Sequence, residues 1–273
     1  LMHEASSVLL MSYTNRAVDE ICGKLVDEGI DFIRLGNRLA CEERFRPYLL
    51  EEKSADCSNI RELRQLLTEA RVVVGTTTSL NAASAIFRLR SFSLAIIDEA
   101  SQILEPHLVG LLSATDDKGD CAIRKIVMIG DHKQLPAVVQ QREEDSRVND
   151  QLLQSIGLPD CRLSLFERLL RRYSDRPDCV YMLTRQGRMH HDIALYPSRA
   201  FYDGRLQEVP LPHQTETLNA DILCSNGIEK LIATRRTAFV DVESPEHSPS
   251  DKVNRCEAEA ITATIVSIYR KEK

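Results

Sequence analysis

Residues 94–106 read Leu94-Ala95-Ile96-Ile97-Asp98-Glu99-Ala100-Ser101-Gln102-Ile103-Leu104-Glu105-Pro106. An apolar run carries two adjacent carboxylates, Asp98 and Glu99, at its C-terminal end. A second strand-like run, Lys125 to Ile129, ends in Gly130-Asp131-His132-Lys133-Gln134-Leu135-Pro136. In an open parallel sheet, strand C-termini face the crevice where ligands bind. Two acids there, one able to hold a metal and one able to act on a water, form a phosphoryl-transfer arrangement. Taken alone, an Asp-Glu pair after a strand can equally begin a turn.

Outward from this stretch, short apolar strands alternate with amphipathic helices, the pattern of an α/β doubly wound sheet. Ser7 to Met11 reads as a strand and Asn15 to Glu28 as a helix. Ala17, Val18, Ile21, Cys22, Leu25 and Val26 form that helix's apolar face, and Gly29 stops it. Strands are expected at Phe32 to Leu35 and Arg71 to Gly75, with a helix over 59–70 between them and an irregular polar stretch over 37–58. Thr76-Thr77-Thr78 opens a further helix. Residues 140–178 read as a charged connector with a helical piece around Ser164 to Arg172. A second unit is expected from a strand at Val180–Leu183. A helix over His190 to Phe201, a long loop over 207–235 and a strand at Thr237–Val242 follow. The closing helix has Asn254 as its N-cap, Glu257 three residues on, and Ala258, Ile261, Ile265, Val266 and Tyr269 as its face. The expected boundaries are 1–145, a connector 146–178, and 179–273.

At 273 residues the chain is long enough for two domains of roughly 100–150 residues. Its 43% hydrophobic and 28% charged residues mark an ordinary globular composition, and no apolar stretch approaches the ~20 residues that span a bilayer. The eight cysteines include no Cys-x-x-Cys pair, so free thiols in a reducing, cytoplasmic setting are expected. A net charge of -6 excludes a general nucleic-acid coat but leaves room for a local basic groove.

Ile97-Asp98-Glu99-Ala100-Ser101-Gln102 followed by Gly130-Asp131-His132-Lys133-Gln134-Leu135-Pro136 resembles motifs II and III of superfamily 1 helicases. Ser12-Tyr13-Thr14-Asn15-Arg16-Ala17-Val18-Asp19 is similar to motif Ia. The stretch from Leu183 through Gln186-Gly187-Arg188-Met189-His190 to Leu206 looks like motif IV of the branch related to the nonsense-mediated-decay helicase and other 5′→3′ unwinding enzymes. The resemblance implies two RecA-like parallel-sheet domains of P-loop NTPase type, both incomplete, with ATP and Mg²⁺ as cofactors. It also implies the residue roles. Asp98 would hold Mg²⁺ and Glu99 would activate water. Gln134 would sense the γ-phosphate, and Asp131 would couple the site to the second domain. Arg188 would act as an arginine finger, with Gln186 its companion polar group. Thr14, Asn15, Thr76 and Thr77 would contact single-stranded nucleic acid, although helix capping calls for the same residue types. Ser113-Ala114-Thr115, which imitates a superfamily 2 motif, reads as a loop.

Three departures matter. No glycine-rich phosphate loop is present: the one Lys followed by Ser or Thr, Lys53-Ser54, comes after Glu51-Glu52 with no glycine nearby. Residues 1–4 look like the tail of a helix that succeeds such a loop. No motif V or VI is recognisable, so the chain reads as an internal fragment whose partner is the rest of a larger helicase. Its first sheet should then expose a pairing edge. Gly187 stands where relatives carry an aromatic that stacks on adenine, so other purine nucleotides become plausible. The interval from Leu35 to Val72 leaves space for little more than a loop and a helix.

The expected function is that of an ATP-dependent helicase or translocase on single-stranded DNA or RNA, with the isolated chain largely inactive. The alternatives are a catalytically dead module that binds nucleic acid or a partner, and an ATPase that remodels protein.

Overall fold

The computed structural model describes residues 6–216, 227–243 and 253–271. The helix tail expected at residues 1–4, and Cys224, lie outside them. The chain divides into two compact units, Leu1–Val180 and Tyr181–Lys273.

The first unit is built on five parallel strands: β1 (Val8–Ser12), β2 (Ile33–Leu35), β3 (Val72–Thr76), β4 (Leu94–Ile97) and β5 (Ile126–Met128), in the order β2-β3-β1-β4-β5. Every residue of β1 and β3 is buried. This is why they read as unbroken apolar runs: helices cover a parallel sheet on both faces. Alternate residues divide between two cores. Leu9, Met11, Val73, Ala95 and Ile97 enter one, and Val8, Leu10, Val72 and Val74 the other. Ser12 stands beside Thr76 and Met11 beside Ile97, so the strands finish level with one another. β2 and β5 are the two outer strands, and the apolar side chains at the β5 end are open: Ile126 is 44% and Ile129 46% exposed.

Helix α1 (Asn15–Asp27) is capped by Thr14, and Gly29 at φ +65° comes just after its end. Its buried face is rotated from the expected one: Asp19 and Gly23 lie inside, whereas Val26 is exposed. Arg34 on β2 accounts for the rotation. Its guanidinium is wholly buried and donates to Asp19 Oδ1 at 2.7 Å, while Asp19 Oδ2 accepts the Glu42 N–H. The interval 37–58, expected to be irregular, forms two short 3₁₀ turns and α2 (Leu50–Lys53). It buries Phe45 and Leu49, and Tyr48 stacks on Phe32 at 4.3 Å. Helices α3 (Ile60–Glu69), α4 (Thr77–Ala82), α5 (Ile86–Leu89) and α6 (Glu105–Leu112) come next. Ser113 ends α6, and Thr115 bridges to Cys121, the loop expected at Ser113–Thr115.

The stretch read as a connector holds α7 (Glu143–Ser146), α8 (Gln151–Ser155) and α9 (Leu165–Tyr173). Its α9 is anchored to the first unit: Leu165 joins the core, and Arg168 grips Glu105 through a bidentate pair, Nε to Oε2 at 2.7 Å and Nη2 to Oε1 at 2.5 Å.

The second unit departs further from expectation. Val180–Leu183 is not a strand; Tyr181 is 85% exposed and pairing begins only at β6 (Arg185–Gln186). Nor is 207–235 one loop, since it contains β7 (Gln207–Glu208, parallel to β6), α11 (Pro212–Thr215) and α12 (Gly227–Thr234). Thr237–Val242 is not a strand either, and Phe239 is 94% exposed. Apolar β-branched runs become strands only where a neighbour supplies hydrogen-bond partners, and among the described residues none does. Helix α10 (His191–Phe201) lies between β6 and β7, and α13 (Arg255–Lys271) starts from Asn254, which exchanges hydrogen bonds with Glu257 as expected. The face expected to be buried on α13 is outward: Ile261, Ile265, Val266 and Tyr269 are exposed, while Cys256, Ala260, Thr264 and Ser267 are the shielded positions.

Two outcomes are expected. Asp19→Ala leaves the Arg34 guanidinium buried without its counter-charge, and denaturant titration should show a loss of about 3–5 kcal/mol. Burial pushes the Cys22 thiol up to about 12, so it stays protonated where an ordinary thiol ionises. At about pH 8 the exposed Cys121 and Cys179 should be alkylated in the native protein and Cys22 only after unfolding.

Candidate active site

Asp98 comes directly after β4, and its N–H donates to Met11 O at 2.8 Å, fixing the carboxylate-bearing residue to the end of β1. Glu99 is left-handed, at φ +51°. That conformation costs a non-glycine residue about 1–2 kcal/mol, and strain of this kind concentrates at functional positions. The next residue holds it in place. The Ala100 N–H donates to Ile129 O at 2.8 Å, so the chain leaving Glu99 turns toward the end of β5.

At that junction Gly130 has no room for a side chain. A Cβ would lie 2.8 Å from the Ser101 backbone nitrogen and 3.3 Å from that of Ala100. The Asp131 N–H then donates to Ser101 Oγ at 3.1 Å. The Asp131 carboxylate organises the next turn, accepting the Lys133 N–H at 3.0 Å and Gln134 Nε2 at 2.9 Å. The Asp98-Glu99 corner and the Asp131–Gln134 turn are thus locked to each other. Ser101 and Gly130, to which the sequence motifs gave no role, make the lock. Their only signal in the sequence is position: a small residue three after Asp98 and a glycine at the strand end.

Asp98 and Glu99 supply hard carboxylate oxygens, and the described residues contain no group of three His, Cys, Asp or Glu side chains that could hold a metal ion. Magnesium suits so sparse a set, because it keeps waters and phosphate oxygens in its shell.

The neighbouring strand ends carry the residues expected at nucleic acid. Thr14 Oγ1 accepts the Ala17 N–H at 3.2 Å, and Asn15 is exposed beside it. Thr76 and Thr77 are corrected by their burial, 7% and 1% exposed. Thr76 Oγ1 is spent on the Ser79 N–H as a helix cap, so the exposed hydroxyl at this turn is that of Thr78. Tyr13, 41% exposed, lies parallel to His107 with ring centroids 6.3 Å apart.

In the second unit, Gln186 folds over its own turn: Oε1 accepts the Arg188 and Met189 N–H groups at 3.0 and 2.7 Å, and Nε2 donates to Met189 O at 2.9 Å. His190 caps α10 through Nδ1, which accepts the Asp192 N–H. Arg188 is exposed, and its guanidinium makes no ion pair or hydrogen bond among the described residues. At Gly187 a Cβ would meet nothing nearer than Leu211 Cδ1 at 3.4 Å, so packing does not demand glycine there as it does at Gly130.

Gly130→Ala should destabilise the first unit by about 1–3 kcal/mol, since the nearest obstacle is backbone that cannot swing away. Thermal melting measures this. Ser101→Ala, which removes one acceptor without adding bulk, should cost less.

A family profile described as an AAA domain matches residues 49–142, and a second with the same description matches residues 161–273. The chain is 34% identical over 203 residues to the DNA replication ATP-dependent helicase/nuclease DNA2 of Xenopus laevis, covering 74% of this chain and 17% of that protein. It is 32% identical over 247 residues to the helicase/nuclease JHS1 of Arabidopsis thaliana, covering 89% of this chain and 16% of that protein. With DNA2 of Saccharomyces cerevisiae it shares 28% identity over 280 aligned positions, 95% of this chain and 17% of the relative. The chain therefore spans less than a fifth of the length of these relatives. By these matches, and by the parallel sheet that carries its paired motifs, the chain belongs to the superfamily 1 helicase-type AAA domains.

Proposed function

We propose that this chain is the motor segment of an ATP-dependent helicase or translocase acting on single-stranded nucleic acid. The observation that carries the proposal is the Gly130–Ser101 contact, which locks the Asp98-Glu99 corner to the Asp131–Gln134 turn at the ends of adjacent parallel strands. A hydrolase needs its metal-holding and water-activating groups in fixed register with the group that detects the terminal phosphate.

In this reading Asp98 would supply a carboxylate oxygen to magnesium. Glu99 orients the attacking water and accepts its proton, its backbone set by the strained corner. Gln134, tethered to Asp131, reports whether the terminal phosphate is present. Arg188 stabilises the negative charge that develops on the transferred phosphoryl group when the second unit closes. Magnesium, when bound, neutralises phosphate charge and fixes the orientation of the phosphates. Thr14, Asn15 and Thr78 are proposed to contact the strand's phosphates, because hydroxyls and N–H groups at helix starts bind such oxygens without reading sequence. Single-stranded DNA is the proposed substrate, since the relatives matched are named as DNA replication enzymes. The reducing, cytoplasmic setting inferred from the cysteines belongs to the same proposal.

The test is steady-state ATPase of the full-length protein with and without single-stranded DNA or RNA. Stimulation by DNA is expected, and Glu99→Gln should lower kcat by about 10²–10⁴-fold while nucleotide still binds. DNA binding with no turnover in the full-length protein would point to the binding module instead. The isolated 273-residue chain should hydrolyse ATP slowly or not at all, and robust turnover by it refutes that expectation. With Gly187 offering no ring, GTP should support turnover within about tenfold of ATP, a difference no larger than one or two contacts supply.

A further inference from the structure

The Arg188 turn is clamped from outside as well as from within. Gln214, on α11, is wholly buried, and its amide nitrogen donates to both Gln186 O at 2.9 Å and Met189 O at 3.0 Å. Its amide oxygen faces the Leu211 N–H at 3.4 Å. Both of its N–H bonds therefore go to the carbonyls that flank Arg188. From the same short helix, His213 Nε2 lies 3.0 Å from Gly187 O, a contact in which the imidazole N–H donates. The carbonyls of residues 186, 187 and 189 are thus held by α11, and the N–H groups of 188 and 189 by the Gln186 side chain. The Arg188 guanidinium itself is exposed and makes no ion pair or hydrogen bond among the described residues.

We propose that Gln214, assisted by His213, is the positioning residue that presents Arg188 to the terminal phosphate; this rests on the role given to Arg188 above. A turn held only by its own side chain can rock. A turn whose carbonyls are tied to a second element 25–28 residues away in the chain cannot rock without breaking those bonds. An arginine that must meet charge developing only in the transition state gains from such pre-organisation, because its backbone needs no rearrangement at that moment. Gln214 touches neither nucleotide nor strand in this scheme and acts through Arg188 alone.

The test compares ATPase kinetics of the full-length protein, with Mg-ATP and saturating single-stranded DNA, for Arg188→Ala, Gln214→Met and the double variant. Methionine keeps the volume of Gln214 and removes both donors. Arg188→Ala should lower kcat by about 10³-fold or more. Gln214→Met should lower kcat by roughly 10–100-fold with KM for ATP nearly unchanged. The double variant should be no slower than Arg188→Ala. In a milder pair at an exposed position, His213→Ala should lose activity severalfold and His213→Gln, which keeps an N–H donor, should retain most of it. Wild-type kcat in Gln214→Met, or a loss that multiplies with that of Arg188→Ala, overturns the positioning role while leaving Arg188 as the finger. Unchanged kcat in Arg188→Ala overturns the finger and the positioning proposal together. Melting temperature is followed for each variant. A Gln214→Met protein that melts much earlier is set aside for the His213 pair, where equal activity in alanine and glutamine variants overturns the proposal.

Discussion

A strand buried on both faces has only its ends on which to place polar chemistry. β1 and β3 are such strands, and β4 departs from them only at the half-buried Ile96; two apolar cores take their alternate residues. Parallel pairing then brings their C-terminal ends level, with Ser12 beside Thr76 and Met11 beside Ile97. Everything proposed about the first unit depends on this alignment. The Asp98-Glu99 corner and the Asp131–Gln134 turn lie some thirty residues apart in sequence and are joined, through the Ala100–Ile129 and Asp131–Ser101 hydrogen bonds, because β4 and β5 stop at the same level.

The join between those strand ends is where the fold accepts local cost. Glu99 adopts a left-handed backbone, and Gly130 passes so close to Ser101 that no side chain could be there. The compensation is near at hand: Ala100 and Asp131 each donate a hydrogen bond across the same junction, to Ile129 O and Ser101 Oγ. The second unit uses a different device for the same end. Its sheet is only a two-residue pair among the described residues, so the Arg188 turn takes its rigidity from side-chain amides rather than from a strand ladder.

Where the physics is local, the residues can be read directly. Thr14 and Asn254 as caps, Gly29 after α1, and the strands at 8–12, 72–76 and 94–97 all come from side-chain type and spacing within a few residues. Where the outcome depends on a distant partner, such reading fails. Val180–Leu183 and Thr237–Val242 have strand-like composition but no neighbour among the described residues to pair with. Thr76 and Thr77 have the right side chains for a phosphate contact, but the end of a buried strand draws them inward. The apolar stripe of α13 is visible as a stripe, yet which face is covered cannot be read from it.

The parallel α/β sheet and the kinship carried by the Asp98-Glu99 and Gly130–Pro136 motifs are written in the chain itself, because both rest on residue identity at short range. That Asp19 is the buried counter-charge of Arg34, and that Ser101 and Gly130 form the lock between the motifs, emerges only in three dimensions. The same holds for Gln214, which reaches back across 25–28 residues to hold the Arg188 turn. Those are contacts between chain segments far apart in sequence. Their existence depends on the complete packing of the unit, which no local pattern encodes.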